Sequence, residues 1–362
     1  MRSLAVLHVL TAFTDFFPKR DICNSRFSIN TDPYELDIRD CLFANSVMNG
    51  AHGGVIAIDY KVRIVVESCT FSNIALGSGM NGGSIYITGT CCGFAISKTC
   101  AYRSYISTGS GHFLYLQLST TDFLYNIDTS IVQCAPSLYA TTQSPMYCRY
   151  GYQLYNNMNL SNNVAYQYGS MNIQNAANYS LLFSTIVNNN GTYRYCLCYS
   201  SCSQNPMNKY LNYVNNSTPH TTTGNIDIST YHVFFELCIF LQNYRILFNG
   251  YATISTCYIS HTTSLQTTGS NVQIFSTNNV ILDDGFWTET YQFTHYSSAF
   301  CEIPTPAQSK EPTPDPQGAE ITPCQTIPEP PTECNVPDPA QLLIPYKFIS
   351  HVTLLTLQMI SQ

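Results

Sequence analysis

The segments "LDIRDCLFAN" (36–45) and "IVVESCTFSN" (64–73) carry one pattern twice, with Cys69 standing 28 residues after Cys41. Leu36 and Ile38 correspond to Ile64 and Val66, Phe43 to Phe71, and Asn45 to Asn73. A glycine pair and alternating isoleucines follow each copy: "GGVIAI" (53–58), headed by Gly53 and Gly54, and "GGSIYI" (82–87), headed by Gly82 and Gly83. The unit is apolar-x-apolar-x-x-C-x-F-x-N, a short loop, then G-G-x-I-x-I. "VFFELCIFLQN" (233–243) refills the slots with Val233, Phe235, Cys238 and Phe240, and "ATISTCYIS" (252–260) with Ile254, Cys257 and Ile259. "KTCAY" (98–102) and "SIVQC" (130–134) read as eroded copies.

The spacing within the unit sets its conformation. Ile56/Ile58, Ile64/Val66 and Ile85/Ile87 alternate at two residues, the signature of strands. Between Val66 and Cys69 the inward series shifts phase, as a corner between two short strands requires. The glycine pair marks a second corner, where positive φ costs little, and Asn45 and Asn73 suit a third, because Asn tolerates the left-handed region. Short strands, corners at fixed offsets and a period in the twenties predict an all-β fold, a parallel β-helix over residues 20–300. A sandwich or jelly roll ranks second, since neither demands the same slots in each turn.

Stacking the coils in register aligns Glu35 with Arg63 and Arg39 with Glu67 in outward slots, predicting exposed cross-coil ion pairs of about 0.2–1 kcal/mol each. Cys41 and Cys69 fall in an inward slot, where a free thiol acts as a small hydrophobe. In-register Cβ atoms sit slightly farther apart than a disulfide wants, so a bond between these two is the less favoured reading. "CLCYSSC" (196–202) and Cys91-Cys92 read as loop cysteines and better disulfide candidates.

Composition narrows the function. Only 10% of the 362 residues are charged, while 27 are Tyr. Seven acids and one base between Glu302 and Pro345 supply −6 of the net −7, leaving a nearly neutral body. That body offers no clustered Lys or Arg for nucleic acid, and this class is excluded. Sixteen cysteines and the sequons at Asn159, Asn178, Asn190, Asn215 and Asn216 tilt towards an extracellular glycoprotein. Residues 1–19 are either a signal peptide or an apolar first element. Residues 301–341 form a Pro-rich acidic spacer, overlapping a stretch (304–345) that holds 12 of the 18 prolines. Residues 342–362 are an apolar tail whose 13-residue core, Phe348–Ile360, is short for a membrane span but could be a degenerate anchor.

Chemistry-bearing motifs are sparse. "GSGMNG" (77–82) matches G-x-G-x-x-G literally, yet a strand follows it instead of a helix, and the next acid is Asp122. It reads as a coil corner, and no cofactor is expected. His52 and His112 read as loop or turn residues rather than bases. "CLCYSSC" lacks a second pair or a His at zinc-ligand spacing, so no metal is expected. Parallel β-helices also host polysaccharide lyases and glycoside hydrolases, but such enzymes need carboxylates on neighbouring coils or an Arg beside an Asp cluster. The one adjacent acid pair in the body, Asp283-Asp284, follows every candidate His motif. The expectation is a non-enzyme, with a carbohydrate-active enzyme or a ligand-free structural rod as alternatives.

The C-x-F-x-N and G-G-x-I-x-I signatures over 36–87, with a weaker continuation to about residue 260, resemble the polymorphic membrane protein repeat of chlamydial surface proteins and its trichomonad relatives. The resemblance implies a right-handed parallel β-helix on a cell surface, with a role in adhesion or variable display to a host-cell or extracellular-matrix component. Members often end in a spacer and a membrane helix, which the Pro-rich segment and the apolar tail partly echo.

Overall fold

A computed structural model of the chain describes residues 27–29, 35–60, 63–89, 93–135, 143–202, 206–219, 224–243, 247–260 and 274–282, with Thr290, Tyr291, Phe293 and His295. All belong to one compact unit, Arg20–Pro328. The N-terminal segment 1–19, the spacer and the tail lie outside the described residues.

The described chain is a parallel β-solenoid without a helix. Each full coil lays down three strands, defining faces A, B and C. In the first described coil these are Glu35–Arg39 (A), Leu42–Ala44 (B) and Ile56–Ile58 (C). In the next they are Arg63–Glu67, Thr70–Ser72 and Ile85–Ile87. Corresponding strands pair parallel and in register: Phe43 on Phe71, Ile38 on Val66, Ile56 on Ile85. The repeat read from the sequence is therefore the physical coil, and its inward positions build one continuous core.

The corners show why the slots recur. Between faces A and B every coil places one residue in the left-handed region, from Asp40 and Ser68 through Lys98, Asp128 and Asn157 to Phe183, Tyr210, Leu237 and Thr256 (φ 45° to 54°). This residue reverses the inward phase, as the Val66–Cys69 spacing demands. The next residue points inward, and its thiol or hydroxyl donates to the carbonyl two residues back: Cys41 to Arg39 (3.1 Å), Cys69 to Glu67 (3.2 Å), Thr99 to Ser97 (2.8 Å), Ser184 to Leu182 (2.7 Å), Cys238 to Glu236 (3.4 Å). The cysteine slot is thus a donor slot as well as an apolar one. In "KTCAY" the slot belongs to Thr99, and Cys100 sits one position later on face B, beside Thr70.

The corner after face B is left-handed too, at Asn45, Asn73, Arg103, Gln133, Asn162, Asn188, Asn215 and Gln242. Gly53 and Gly82 take φ +67° and +68°. Gly54 and Gly83 are required by space: a Cβ on Gly83 would lie 1.8 Å from the His112 carbonyl oxygen. "GSGMNG" is a corner, with Gly79 and Gly82 at positive φ.

Coil length changes along the rod. Phe94 pairs with Leu124 thirty residues on, Tyr152 with Asn178 at 26, and Ile239 with Tyr258 at 19. The loss falls on the loops and the C-to-A corner. In Ile226–Glu236 and Phe248–Ser255 a single strand runs through faces C and A.

Of the expected ion pairs, Arg39–Glu67 forms at 3.4 Å, with Asp37 at 2.8 Å on the other side of the guanidinium. Both partners are more enclosed than the exposed placement read from the sequence. Glu35 and Arg63 are in register, and the Glu35 side chain lies outside the described residues. Cys41 and Cys69 are free, inward thiols, as expected. The expectation for "CLCYSSC" fails. Cys196 and Cys198 lie within the strand Tyr195–Ser200, Cys202 follows at its corner, and all three are free and buried. Alternation in "CLCYSSC" is a strand period that a high cysteine content disguised. Cys91 and Cys92 lie outside the described residues.

Candidate binding face

Face C carries the most distinctive outward surface. Inward residues alternate with two outward columns, so register alone brings like side chains together. One column runs Ala57, Tyr86, Tyr115, Tyr147. Its rings stack at 5.4 Å (Tyr86–Tyr115) and 5.2 Å (Tyr115–Tyr147), and the row is extended by His52 over Tyr86 at 4.4 Å. Each such contact contributes about 0.5–1.5 kcal/mol beyond area burial. The His52 ring is fixed in turn by accepting the Asn81 backbone N–H at Nδ1 (2.9 Å). The second column runs Thr88, Gln117, Arg149, Gln174. Thr88 donates to Asp59, and the Tyr147 hydroxyl donates to Gln174 (2.5 Å). Burial raises the Tyr86 and Tyr147 phenols, which stay protonated donors. The result is a row of four rings, His52, Tyr86 and Tyr115 half-buried and Tyr147 buried, beside uncharged amides and hydroxyls, with Arg149 held over the Tyr150 ring (5.0 Å).

Higher up, the same column changes character. Tyr147 is followed by Asn172, Cys198, Asp227 and Asn249. Asp227 is enclosed by donors: Asn249 Nδ2 at 2.7 Å, Ser229 Oγ at 2.8 Å and Cys198 Sγ at 3.5 Å. Burial pushes its carboxyl above the ordinary range and the Cys198 thiol well up, so the thiol is held protonated rather than as a nucleophilic thiolate. Tyr168 and Tyr195, stacked at 6.1 Å, belong to the same cluster.

Sequence-singled residues distribute as follows. Phe43, Phe71 and Phe240 lie in the core with Cys238 and Cys257. His112 stands at a bend before a face C strand, in keeping with the turn reading, and is enclosed there. It occupies the slot of Gly83, is fully buried, accepts the Ile106 N–H at Nδ1 (3.2 Å), and burial lowers its pKa to about 3. Among the sequons, Asn159, Asn178 and Asn190 are half-buried and Asn215 is exposed. Asn216 is buried with both amide atoms engaged, so a glycan there is incompatible with the fold. Asp283-Asp284 lies outside the described residues. Among the described residues no cluster of three or more His, Cys, Asp or Glu could hold a metal.

Sequence reasoning missed an asparagine ladder. Asn163, Asn189, Asn216 and Asn243 stack inward at the corner after face B. Each Oδ1 accepts the backbone N–H of the coil below: Asn163 N to Asn189 at 3.0 Å, Asn189 N to Asn216 at 3.0 Å, Asn216 N to Asn243 at 3.0 Å. Each Nδ2 donates to a face B carbonyl of the coil below: Ile131, Leu160, Ile186 and Tyr213, at 2.8 to 2.9 Å. The signal was present as "NN" or "QN" at 162–163, 188–189, 215–216 and 242–243. Tyr155, Tyr179, Tyr199 and Tyr213 are also core residues.

No family model, curated protein or solved structure matches the chain.

Proposed function

We propose that the solenoid is a binding rod displayed at a cell surface, with outer face C of the coils from His52 to Gln174 as its contact surface. The observation that carries this reading is the ordered row His52–Tyr86–Tyr115–Tyr147 beside an uncharged polar column. Rigid, stacked tyrosines present contact area at low entropic cost, and neighbouring amides and hydroxyls supply adaptable hydrogen bonds. The ligand this chemistry suits is polar and weakly charged, such as a glycan or glycoprotein of a host cell or extracellular matrix. The repeat's likeness to polymorphic membrane proteins supports the same reading, as do the spacer and the apolar tail, which would hold the rod off a membrane.

The test has two arms. Labelling of intact cells expressing the full chain should mark the protein, and deletion of residues 342–362 should release it. A protein confined to the cytosol ends the proposal. Binding of the purified chain to glycan arrays and matrix proteins should fall about tenfold in Tyr86→Ala/Tyr115→Ala, roughly the 1.4 kcal/mol of one lost ring contact. Undiminished binding moves the contact surface elsewhere.

A further inference from the structure

Among the described residues, the face C strands contain a single basic side chain, Arg149, at the end of the strand Met146–Arg149. Met146 and Cys148 lie in the core, so alternation turns Tyr147 and Arg149 outward. Tyr150 then turns the C-to-A corner at φ 62°. Its ring lies 5.0 Å from the guanidinium, and its hydroxyl accepts from Arg149 Nη2 at 3.2 Å. The long side chain is thereby fixed at one edge of the face.

No acid neutralises it. The ion pairs of the described residues join Arg39 to Asp37 and Glu67, Lys98 to Glu67, and Lys209 to Glu236, and Arg149 takes part in none. Its Nε is buried without a hydrogen-bond partner among the described residues. The acids of the face lie far off. Asp59 is three coils below, under Thr88 and Gln117, and Asp227 is three coils above Tyr147. At ~4.8 Å per coil each is about 14 Å away, beyond the ~8 Å screening length at physiological salt. Both are engaged already, Asp59 by Thr88 and Asp227 by Asn249, Ser229 and Cys198. Asp122, at the corner after Gln117, accepts the Ser119 N–H (2.8 Å).

The neighbours of Arg149 have hydrogen-bonding groups to spare. Gln117 and Gln174 stand in register on either side of it, each about 4.8 Å away. Among the described residues Gln117 makes no side-chain hydrogen bond, and Gln174 engages only its Oε1, which accepts from Tyr147. The Tyr115 hydroxyl in the adjoining column is likewise unengaged among them. Next above Tyr147 stands Asn172, which is 3% exposed and keeps its Oδ1 buried without a partner. One fixed positive charge thus sits between two carboxamides with free N–H groups, and a phenol and an amide oxygen lie beside it. The donors fit an oxyanion, and the phenol and amide oxygen fit hydroxyl groups attached next to it.

We propose that Arg149 is the anion subsite of the binding face. Its ligand is a glycan terminus bearing one anionic group, a carboxylate or a sulfate ester. Arg149 and the Gln117 and Gln174 amides hold that group, while sugar hydroxyls meet Tyr115 and Asn172. The assignment sharpens the reading of face C as the contact surface and rests on it. A lone guanidinium balances a lone charge. Repeating polyanions are disfavoured, because they need clustered Lys and Arg, and the described face C strands hold no second base.

The test measures affinities of the purified full chain for two matched pairs of probes. One pair is sialyllactose and the same trisaccharide with its carboxylate reduced to the alcohol. The other is sulfolactose and lactose. At least one anionic probe should bind about tenfold more tightly than its neutral counterpart, the gain of one charge-assisted contact, and the pair showing it identifies the group. Raising the ionic strength should shrink that advantage and leave the neutral probes unchanged. Arg149→Gln should abolish it without weakening the neutral probes. The comparison on the unaltered chain stands even if that variant folds poorly. Equal binding within both pairs overturns the anion subsite, and so does an advantage that survives in well-folded Arg149→Gln. In either case the binding face itself stands if Tyr86→Ala/Tyr115→Ala still weakens the probes. Failure of all four probes to bind also overturns the subsite, and the effect of the tyrosine variant on matrix-protein binding then judges the face separately.

Discussion

The solenoid turns the corner after face B in two different chemistries. In the amino-terminal coils the inward position holds Ser46, Ile74, Ser104 and Cys134, and in the later coils Asn163, Asn189, Asn216 and Asn243. The left-handed residue before it has nearly the same φ in both regions, 53° at Asn73 and 55° at Asn188. Geometry is shared, while the means of satisfying the backbone is not. The early coils close the next turn with glycine pairs and stack aromatic rings outside. The later coils spend side-chain amides inside, and this permits shorter connections. Outer face C divides in the same way, from open rings at Tyr86 and Tyr115 to the enclosed Asp227 cluster.

Breaking the ladder should have the largest effect. Asn189→Ala strands the Asn163 N–H and the Leu160 carbonyl, at about 1–3 kcal/mol per buried group, for a total loss of about 4 kcal/mol. Ser104→Ala, at the equivalent early position, removes one hydrogen bond to Ser84 and should cost about 1 kcal/mol. Equal losses in chemical denaturation would mean that the two regions do not differ.

The regions should also respond oppositely to pH. His112 has a folded pKa below its unfolded value, so its contribution is complete above about 6.5 and is lost as pH falls towards 3. The loss approaches about 4 kcal/mol and should vanish in His112→Gln. Asp227 has a raised folded pKa. Its contribution is complete below the ordinary carboxylate value and declines as pH rises through the folded one. Thermal midpoints across pH 3–8 should show an acid-side slope removed by His112→Gln and an opposing slope removed by Asp227→Ala.

Gly83→Ala should cost about 3 kcal/mol through the clash with the His112 carbonyl, against about 1 kcal/mol for Gly79→Ala, where only the backbone angle is at issue. Thermal melts distinguish the two causes. The smallest effect is Glu67→Gln, which removes only cross-coil ion pairing, at most about 1 kcal/mol and diminished by salt.

The early coils were legible because their slots are apolar and alternate. Phe43, Phe71, Ile56 and Ile85 announce both the strand period and the coil. The later coils were not, because their inward column uses Asn, a residue that reads as turn or sequon when taken one position at a time. Asn215 and Asn216 look interchangeable in sequence, yet one faces solvent and the other lies in the ladder. The aromatic row was partly legible, since Tyr86 sits in an outward slot of "GGSIYI". Tyr147 needed the register that connects it across a coil 32 residues long. The contacts of Tyr291 with Asn212 and of His295 with Thr185 were invisible, because the partners are 79 and 110 residues apart in sequence.

The shortening of the coils has a mechanical meaning. A chain pulled from its carboxyl-terminal side would first load the turn from Tyr258 to Val280 and next the turn from Ile239 to Tyr258, the shortest among the described residues. Unspooling that turn releases 19 residues, roughly 65 Å of slack at ~3.4 Å each, whereas a 30-residue early coil would yield about 100 Å. Tension would thus be met by graded extension, in small steps first, with the tyrosine face of the early coils the last to lose its shape.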